Sequence, residues 1–351
     1  MNDLIVAGGG PVGLATAITA AMAGLDVVVA EPRQGTIDKA CGEGLMPGAV
    51  ARLRAMGVDP RGRDIAGIRY RSGNRTAEAR FAAGPGRGVR RTVLHEAMTA
   101  RALDLGVRIV PARVTEVVQD GHGVRAAGLQ GRYLVGADGL HSAVRRAAGL
   151  QAPARRTAGF GLPGGAWGGR RFGLRQHFRV APSSDLVEVY WLPDREVYVT
   201  PVGDDCVGVA VLGGRPLDLR SAIAALPALA DRLAGAPSAS SPRAAGPLRQ
   251  STTSRVAGRV LLVGDAAGYV DALTGEGLRV GFAEARAAVA AILAERPQDY
   301  EGQWRRITRS YRALTNTLLL VGASPALRPA IVPAAQALPR TFGRIVDEIA
   351  G

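Results

Sequence analysis

The run Leu4-Ile5-Val6-Ala7 passes directly into Gly8-Gly9-Gly10, and Gly13 follows three residues later. A short, unbroken apolar run suits a parallel strand buried on both faces. The residues after it, Pro11 to Gly24, carry an Ala/Ile/Leu helix pattern that ends at a glycine. Asp26 to Ala30 then reads as a second strand, closed by Glu31 and Pro32. This is a βαβ opening. Its turn has the spacing Gly8-x-Gly10-Pro11-Val12-Gly13. Glycines at those places allow a tight turn, admit a pyrophosphate close to the backbone, and let the helix lie against the strand. The helix start then faces the phosphates. Glu31, eighteen residues beyond Gly13, stands where an acid accepts from ribose hydroxyls. The chain is expected to bind a dinucleotide.

At 351 residues the chain is long enough for two structural units. Met46–Met56 and Thr92–Leu105 read as helices, with Thr92 as the cap of the second. Residues 107–110, 114–118, 124–127 and 133–135 read as strands. The middle changes character: 176–180, 187–191, 197–200 and 207–211 are strand-like runs separated by Pro, Asp, Ser and Gly, which predicts an antiparallel meander. Residues 215–250 are helical and Pro/Ser-rich by turns. Residues 260–263 form a last buried strand, and the remainder is helical with proline breaks. The expected fold is α/β: a Rossmann-like dinucleotide-binding domain, an inserted antiparallel-sheet substrate domain and a helical C-terminus. We divide it as 1–65, 88–155 and 255–320 for the first, 66–87 and 156–254 for the second, and 321–351 for the C-terminal segment.

Two more segments place an acid at a strand end. Gly136-Ala137-Asp138-Gly139-Leu140-His141-Ser142 runs from strand to helix start; alone it is an ordinary turn in which Asp138 or Ser142 caps the helix. Gly264-Asp265-Ala266-Ala267-Gly268 is followed by Thr274-Gly275-Glu276-Gly277-Leu278 and a long Ala-rich helix. An acid there can bond a polyol hydroxyl, and a Gly-rich helix start offers free N–H groups and a positive dipole end.

In this order the three motifs resemble the FAD-dependent monooxygenases of the para-hydroxybenzoate hydroxylase type, close to the branch that holds the geranylgeranyl reductases. The resemblance covers roughly residues 1–295. It implies that Gly8, Gly10, Gly13 and Glu31 hold the ADP half of FAD, and that Asp138 and Gly139 lie in a segment serving both FAD and NAD(P)H. It also implies that Asp265 binds the ribityl chain, that Arg91 lies near the ribityl–phosphate part, and that Gly275, Glu276 and Gly277 lie against the isoalloxazine. Lys39-Ala40-Cys41-Gly42-Glu43-Gly44-Leu45 is similar to the Cys-Gly-x-Gly-Leu loop of the reductase branch, close to the flavin. Lys39 is the sole lysine in the chain. Cys41 reads as a small apolar residue rather than a redox thiol. In the segment Val197-Tyr198-Val199-Thr200-Pro201, Tyr198 takes the branch's aromatic position, whereas Thr200 departs from it.

Other classes are excluded in turn. The net charge of +14 could suit an anionic partner, but the arginines are scattered, and 5% aromatics make no stacking platform. Nucleic acid is therefore not an expected partner. Two cysteines make no disulfide framework. The chain opens on a strand rather than a signal sequence, and no apolar run reaches the roughly 18 residues of a membrane span; a cytoplasmic location is expected. No histidines sit at metal spacing, and Ser142 is in no nucleophile elbow. Trp191-Leu192-Pro193 lacks the second Trp of the flavin-halogenase motif.

The expected function is an FAD enzyme that uses NADPH or NADH and O2 to hydroxylate or epoxidise a lipophilic or aromatic small molecule, phenolic or polyketide-derived, in secondary metabolism. The alternative is reduction of prenyl or other isolated double bonds. No catalytic acid or base stands out; His177, Tyr198 and Trp191 are the candidate substrate-side residues. His177 and Phe178 must face opposite sides of their strand. The C-terminal segment is expected to pack back on the FAD domain, with a lid over a lipophilic tunnel or a weak membrane-surface contact as its other uses. No sequence feature fixes an oligomeric state.

Overall fold

The computed structural model describes residues 1–153 and 170–351. The expected domain boundary at 155/156 lies outside the described residues. The strand Asn2–Ala7 is central to an eight-stranded sheet. Val27–Ala30 and Leu129–Gly136 pair with it in parallel on either side. Arg108–Val110 extends the sheet beyond Val27–Ala30, and Val260–Leu262 extends it beyond Leu129–Gly136, again in parallel. Leu4, Ile5 and Val6 have no exposed surface. This is why the sequence shows an unbroken apolar run: helices cover both faces of such a sheet.

The helix Pro11–Met22 starts with Gly10 as its cap and Pro at its first turn, where the missing N–H costs nothing. It packs on the helix Gly277–Leu293. A Cβ on Gly281 would stand 2.5 Å from a Val12 methyl, so the two backbones approach there as only glycine permits. The chain steps from Asn2–Ala7 to Val27–Ala30 on one side and later returns to Leu129–Gly136 on the other. That reversal opens a crevice at the carboxyl ends of the strands.

The second, seven-stranded sheet is ordered Arg243–Ala245, Phe172–Arg179, Cys206–Gly213, Arg195–Pro201, Leu186–Trp191, Gly67–Ser72, Arg75–Arg80. The expected meander is corrected in one respect. Leu186–Trp191, Arg195–Pro201 and Cys206–Gly213 follow one another as hairpins, but Phe172–Arg179 pairs with Cys206–Gly213, not with its sequence neighbour. Leu186–Trp191 pairs in parallel with Gly67–Ser72. One sheet face carries Val197, Val199, Val207, Val209 and Val211 under two short helices, Leu219–Ala224 and Pro227–Leu233.

Three smaller expectations are revised. Residues 114–117 are not strand; the expected strand survives as Val118–Gln119. Thr92 lies inside its helix, which begins at Arg91 without a side-chain cap. The C-terminal helices pack against the second sheet as well, not only toward the FAD-binding side. Phe342, Val346 and Ile349 share an apolar cluster with Tyr70, Ala77 and Ala79 of its edge strands. Spacings of four and three place those three residues on one helix face. Among the described residues no single helix is long and apolar enough to cross a membrane.

The last helix ends on Gly48, where a Cβ would stand 2.4 Å from the Gly351 carbonyl oxygen and 2.9 Å from that of Ala350. Gly48→Val is expected to push the terminus off and cost about 1–3 kcal/mol, the range for overpacking. Urea unfolding checks the cost, and tryptic mapping should show faster cleavage at Arg340 and Arg344.

Candidate functional site

The three acid- and glycine-bearing motifs lie far apart in sequence. They fall on the carboxyl ends of three adjacent parallel strands, Asn2–Ala7, Leu129–Gly136 and Val260–Leu262. Gly8 has φ +106, and a Cβ there would stand 2.6 Å from the Ala137 carbonyl oxygen. The first motif can thus touch the second because Gly8 is bare. Gly13 is the tighter case, with its missing Cβ 1.9 Å from the Gly8 carbonyl oxygen. Gly13 lies beneath the turn, whereas Gly8, Gly10, Pro11 and Val12 line a cavity of about 730 Å³.

Glu31 and Pro32 line the same cavity. Glu31 accepts the Gly9 N–H at 2.8 Å and the Arg33 side chain at 2.8 Å. Burial pushes its carboxyl up, but the Arg33 and Gly9 hydrogen bonds outweigh this and hold it below its ordinary value. Asp138 and Ser142 both cap the short helix Ala143–Ala147. Asp138 accepts the Ala143 and Val144 N–H groups through Oδ2, and Ser142 accepts from Arg145. The other oxygen, Asp138 Oδ1, is buried without a partner among the described residues. Gly139 also lines the cavity.

Gly264 and Asp265 line the cavity too. The Gly264 N–H donates to buried Glu284 at 2.5 Å. Burial pushes the Glu284 carboxyl up to about 8, against the pull of that N–H. The amino end of Gly277–Leu293 meets the cavity through Gly275, Gly277 and Leu278. Glu276 does not line it. Its carboxyl is buried and pairs with Arg279 one turn on, while its neighbours Gly275 and Gly277 face the cavity.

The loop 39–45 crosses from this edge to the second sheet. Lys39 Nζ lies 3.7 Å from Asp265 Oδ2. Lys39, Cys41 and Gly42 line the cavity, and the Gly42 carbonyl accepts from the Thr200 hydroxyl at 2.8 Å. The Thr that departs from the reductase pattern is thus an anchor for the loop. Glu43 adopts φ 61 and accepts the Arg91 N–H at 2.7 Å. Its other oxygen lies 2.5 Å from His177 Nε2. Gly208 stands opposite His177 and leaves the room, since a Cβ there would be 3.1 Å from Glu43 Oε2. The Arg91 side chain is buried on the cavity wall. Burial lowers its pKa, against the attraction of Cys41, Asp265 and Glu43, and its Nε has no partner among the described residues.

Of the three substrate-side candidates, one lines the cavity. Tyr198 does so, with its hydroxyl donating to the Leu273 carbonyl at 2.9 Å. His177 is on the same sheet face but is closed off by Glu43 and Ser240. Trp191 is buried against Tyr70, ring centroids 5.5 Å apart, and does not line the cavity. Sequence reasoning missed Ile68, Tyr70, Val187, Val189 and Ile349, which do. The strand alternation puts Val187 and Val189 on one face, but nothing in the local pattern tells which face meets the cavity. It also missed Arg33, Arg113, Val114 and Thr115. The last three follow the strand Arg108–Val110, so a carboxyl-edge rule would have found them.

A crevice edged with bare glycines, with an unpartnered buried Asp138 oxygen and Arg91 nitrogen, fits the phosphates and polyol of a bound dinucleotide. The fold and site define an FAD-binding oxidoreductase. Residues 1–164 match the FAD binding domain family. Over 341 aligned positions the chain is 30% identical to the menaquinone reductase of Mycolicibacterium smegmatis, covering 89% of this chain and 81% of that one. It is also 30% identical over 313 positions to the dialkyldecalin synthase of Streptomyces rugosporus, covering 81% of this chain but 64% of that protein. The p-nitrophenol 4-monooxygenase PnpA of Pseudomonas putida DLL-E4 superimposes with a TM-score of 0.80 at 20% identity, covering 100% of this chain and 98% of that one. At that identity the likeness speaks for the fold. The chain belongs to the FAD-dependent flavoprotein family of the para-hydroxybenzoate hydroxylase type.

Two outcomes are expected. Gly13→Ala should open the turn at Gly8 and lower FAD affinity by ~10-fold or more, since the glycine is what lets helix and strand meet. Visible flavin absorbance after gel filtration checks it. Glu284 holds a proton when folded up to about pH 8 and sheds it when unfolded near its ordinary 4.5. Wild-type stability should therefore fall between those values as pH rises. Glu284→Gln keeps an acceptor for the Gly264 N–H and removes that slope. The variant should gain on wild type across pH 5–8, by on the order of a few kcal/mol at the top, in paired melting curves.

Proposed function

We propose that this protein is an NADPH- or NADH-dependent monooxygenase that hydroxylates or epoxidises a lipophilic, phenolic or polyketide-derived small molecule. The observation that carries this reading is a single cavity with two characters. One end is the glycine- and acid-bearing edge of the parallel sheet; the other is an apolar trough on the second sheet, lined by Ile68, Tyr70, Val187, Val189 and Leu212. We assign the parallel sheet to the FAD-binding domain and the seven-stranded sheet to the substrate domain.

In this reading Gly8, Gly10 and Glu31 hold the ADP half. Arg91 and Asp265 hold the ribityl–phosphate part, and Gly275, Gly277 and Leu278 present the helix start to the ring. Bound FAD supplies electron storage and the oxygen chemistry. The chain's own residues bind, orient and exclude water. The helix start offers free N–H groups that favour negative charge. The Tyr198 hydroxyl is committed to Leu273 and serves as a strut, not as an acid. Among the described residues along the apolar part of the trough there is no carboxylate or imidazole. A phenol that activates its own ring needs none.

A second reading, saturation of a prenyl double bond, is favoured by the likeness to menaquinone reductase and by the loop Cys41-Gly42-Glu43-Gly44-Leu45. One experiment separates them. FAD-loaded protein is mixed without oxygen with NADPH or NADH, and then supplied with O2 and either an alkylphenol or a prenylated quinone. Flavin bleaching, oxygen uptake and a product heavier by one oxygen atom are expected. A product heavier by two hydrogens, with no oxygen consumed, replaces the first reading by the second.

A further inference from the structure

The second sheet carries a continuous row of side chains across its strands. Tyr70 pairs with Val189, Val189 with Tyr198, Tyr198 with Ala210, and Ala210 with Arg175. Direct cross-strand partners share a face, and all five line the cavity. Four interstrand steps make the row about 19 Å long. It is graded in polarity. At one end Arg175 is 1% exposed, bonded to Asp38 Oδ1 at 2.5 Å and to the Lys39 carbonyl at 3.1 Å. Its Nε has no partner among the described residues. At the other end Tyr70 and Val189 join Ile68, Val187 and Ile349 in one apolar cluster.

Ile349 closes that apolar end. It comes from the last helix, is 1% exposed, and lines the cavity. The helix is held by other contacts. Phe342 packs on Tyr70 with centroids 4.9 Å apart, and Asp347 accepts the Ala82 N–H at 2.9 Å. The Ile349 side chain can therefore change size while the helix keeps its place.

We infer that the substrate lies across the sheet along this row. Its polar ring is at Arg175, its apolar chain runs toward Tyr70, and Ile349 is the stop that sets the chain length accepted. This rests on the trough being the substrate site, and holds for either reaction above.

The test uses full-length, FAD-loaded protein and a homologous series of n-alkylphenols, with dissociation constants read from flavin fluorescence. In wild type, affinity should rise by about fourfold per added methylene and break at one chain length. Ile349→Ala should move the break to longer chains, and Ile349→Trp to shorter ones, with the shortest phenols bound as in wild type. A phenol carrying a photoreactive group at its chain end should label the peptide 341–344 or 345–351. A break at the same length in all three proteins, each with wild-type melting behaviour, overturns Ile349 as the stop. Labelling at residues 244–248 reverses the orientation and overturns it too. If no alkylphenol or prenylated quinone binds at any length, the trough is not the substrate site, and the reading beneath the inference falls with it.

Discussion

The approach of backbone to backbone on which the site depends is the one at Gly13, whose α-carbon has the Gly8 carbonyl where a side chain would begin. That contact sets the first helix down on the first strand. The helix in turn sets the seat of the long helix Gly277–Leu293, through Val12 against Gly281. The long helix carries Glu284, which holds the Gly264 N–H, and so fixes the turn that presents Asp265. One missing methyl group thus governs the relative places of motifs more than 250 residues apart. Glu284 is tolerated in the interior because burial keeps it neutral up to about pH 8.

A second set of contacts ties the two sheets together at the segment 271–275. Asp271 accepts from Arg171 at 2.8 Å, Arg171 also reaches Glu196, and the Tyr311 hydroxyl donates to the Asp271 carbonyl. The Tyr198 hydroxyl adds its bond to Leu273. Buried ion pairs of this kind are weak evidence for stability, since desolvation offsets most of the attraction. Their geometry does something else. The segment leading into the helix start is gripped by the seven-stranded sheet on one side and by the helix Asp299–Ala323 on the other, so a change in either is felt at that end of the cavity.

Much of the fold was legible from sequence because it is written in local patterns. The glycine spacing, the unbroken strand runs and the Glu31 position each follow from one strand or one turn. So does the alternation that puts His177 and Phe178 on opposite faces; Phe178 packs with the valine layer and His177 faces Glu43. What was not legible depends on pairing between distant segments. The place of Phe172–Arg179 beside Cys206–Gly213 is set by tertiary register. Trp191 shares the strand face of Val187 and Val189, yet its ring packs against Tyr70 and lies behind the cavity wall. The pairing of Glu276 with Arg279, one turn on, has no mark in the glycine motif that the resemblance rests on. Ile349 had no local signature at all; its role comes from the last helix lying over the edge strands.

The strand Val260–Leu262 completes the parallel sheet beside Leu129–Gly136, but five of the seven strands of the second sheet lie between them in the chain. On the ribosome, the edge of Leu129–Gly136 must therefore wait unpaired while the intervening residues emerge, and long-range parallel pairing is slow to close. The cavity waits longer still, since its walls run from Ala7 to Ile349. A nascent chain can have its first glycine turn formed and still lack a pocket able to retain a cofactor. A cofactor whose seat is built from both ends of the chain can be taken up only late in the life of each molecule, after the last helix has docked.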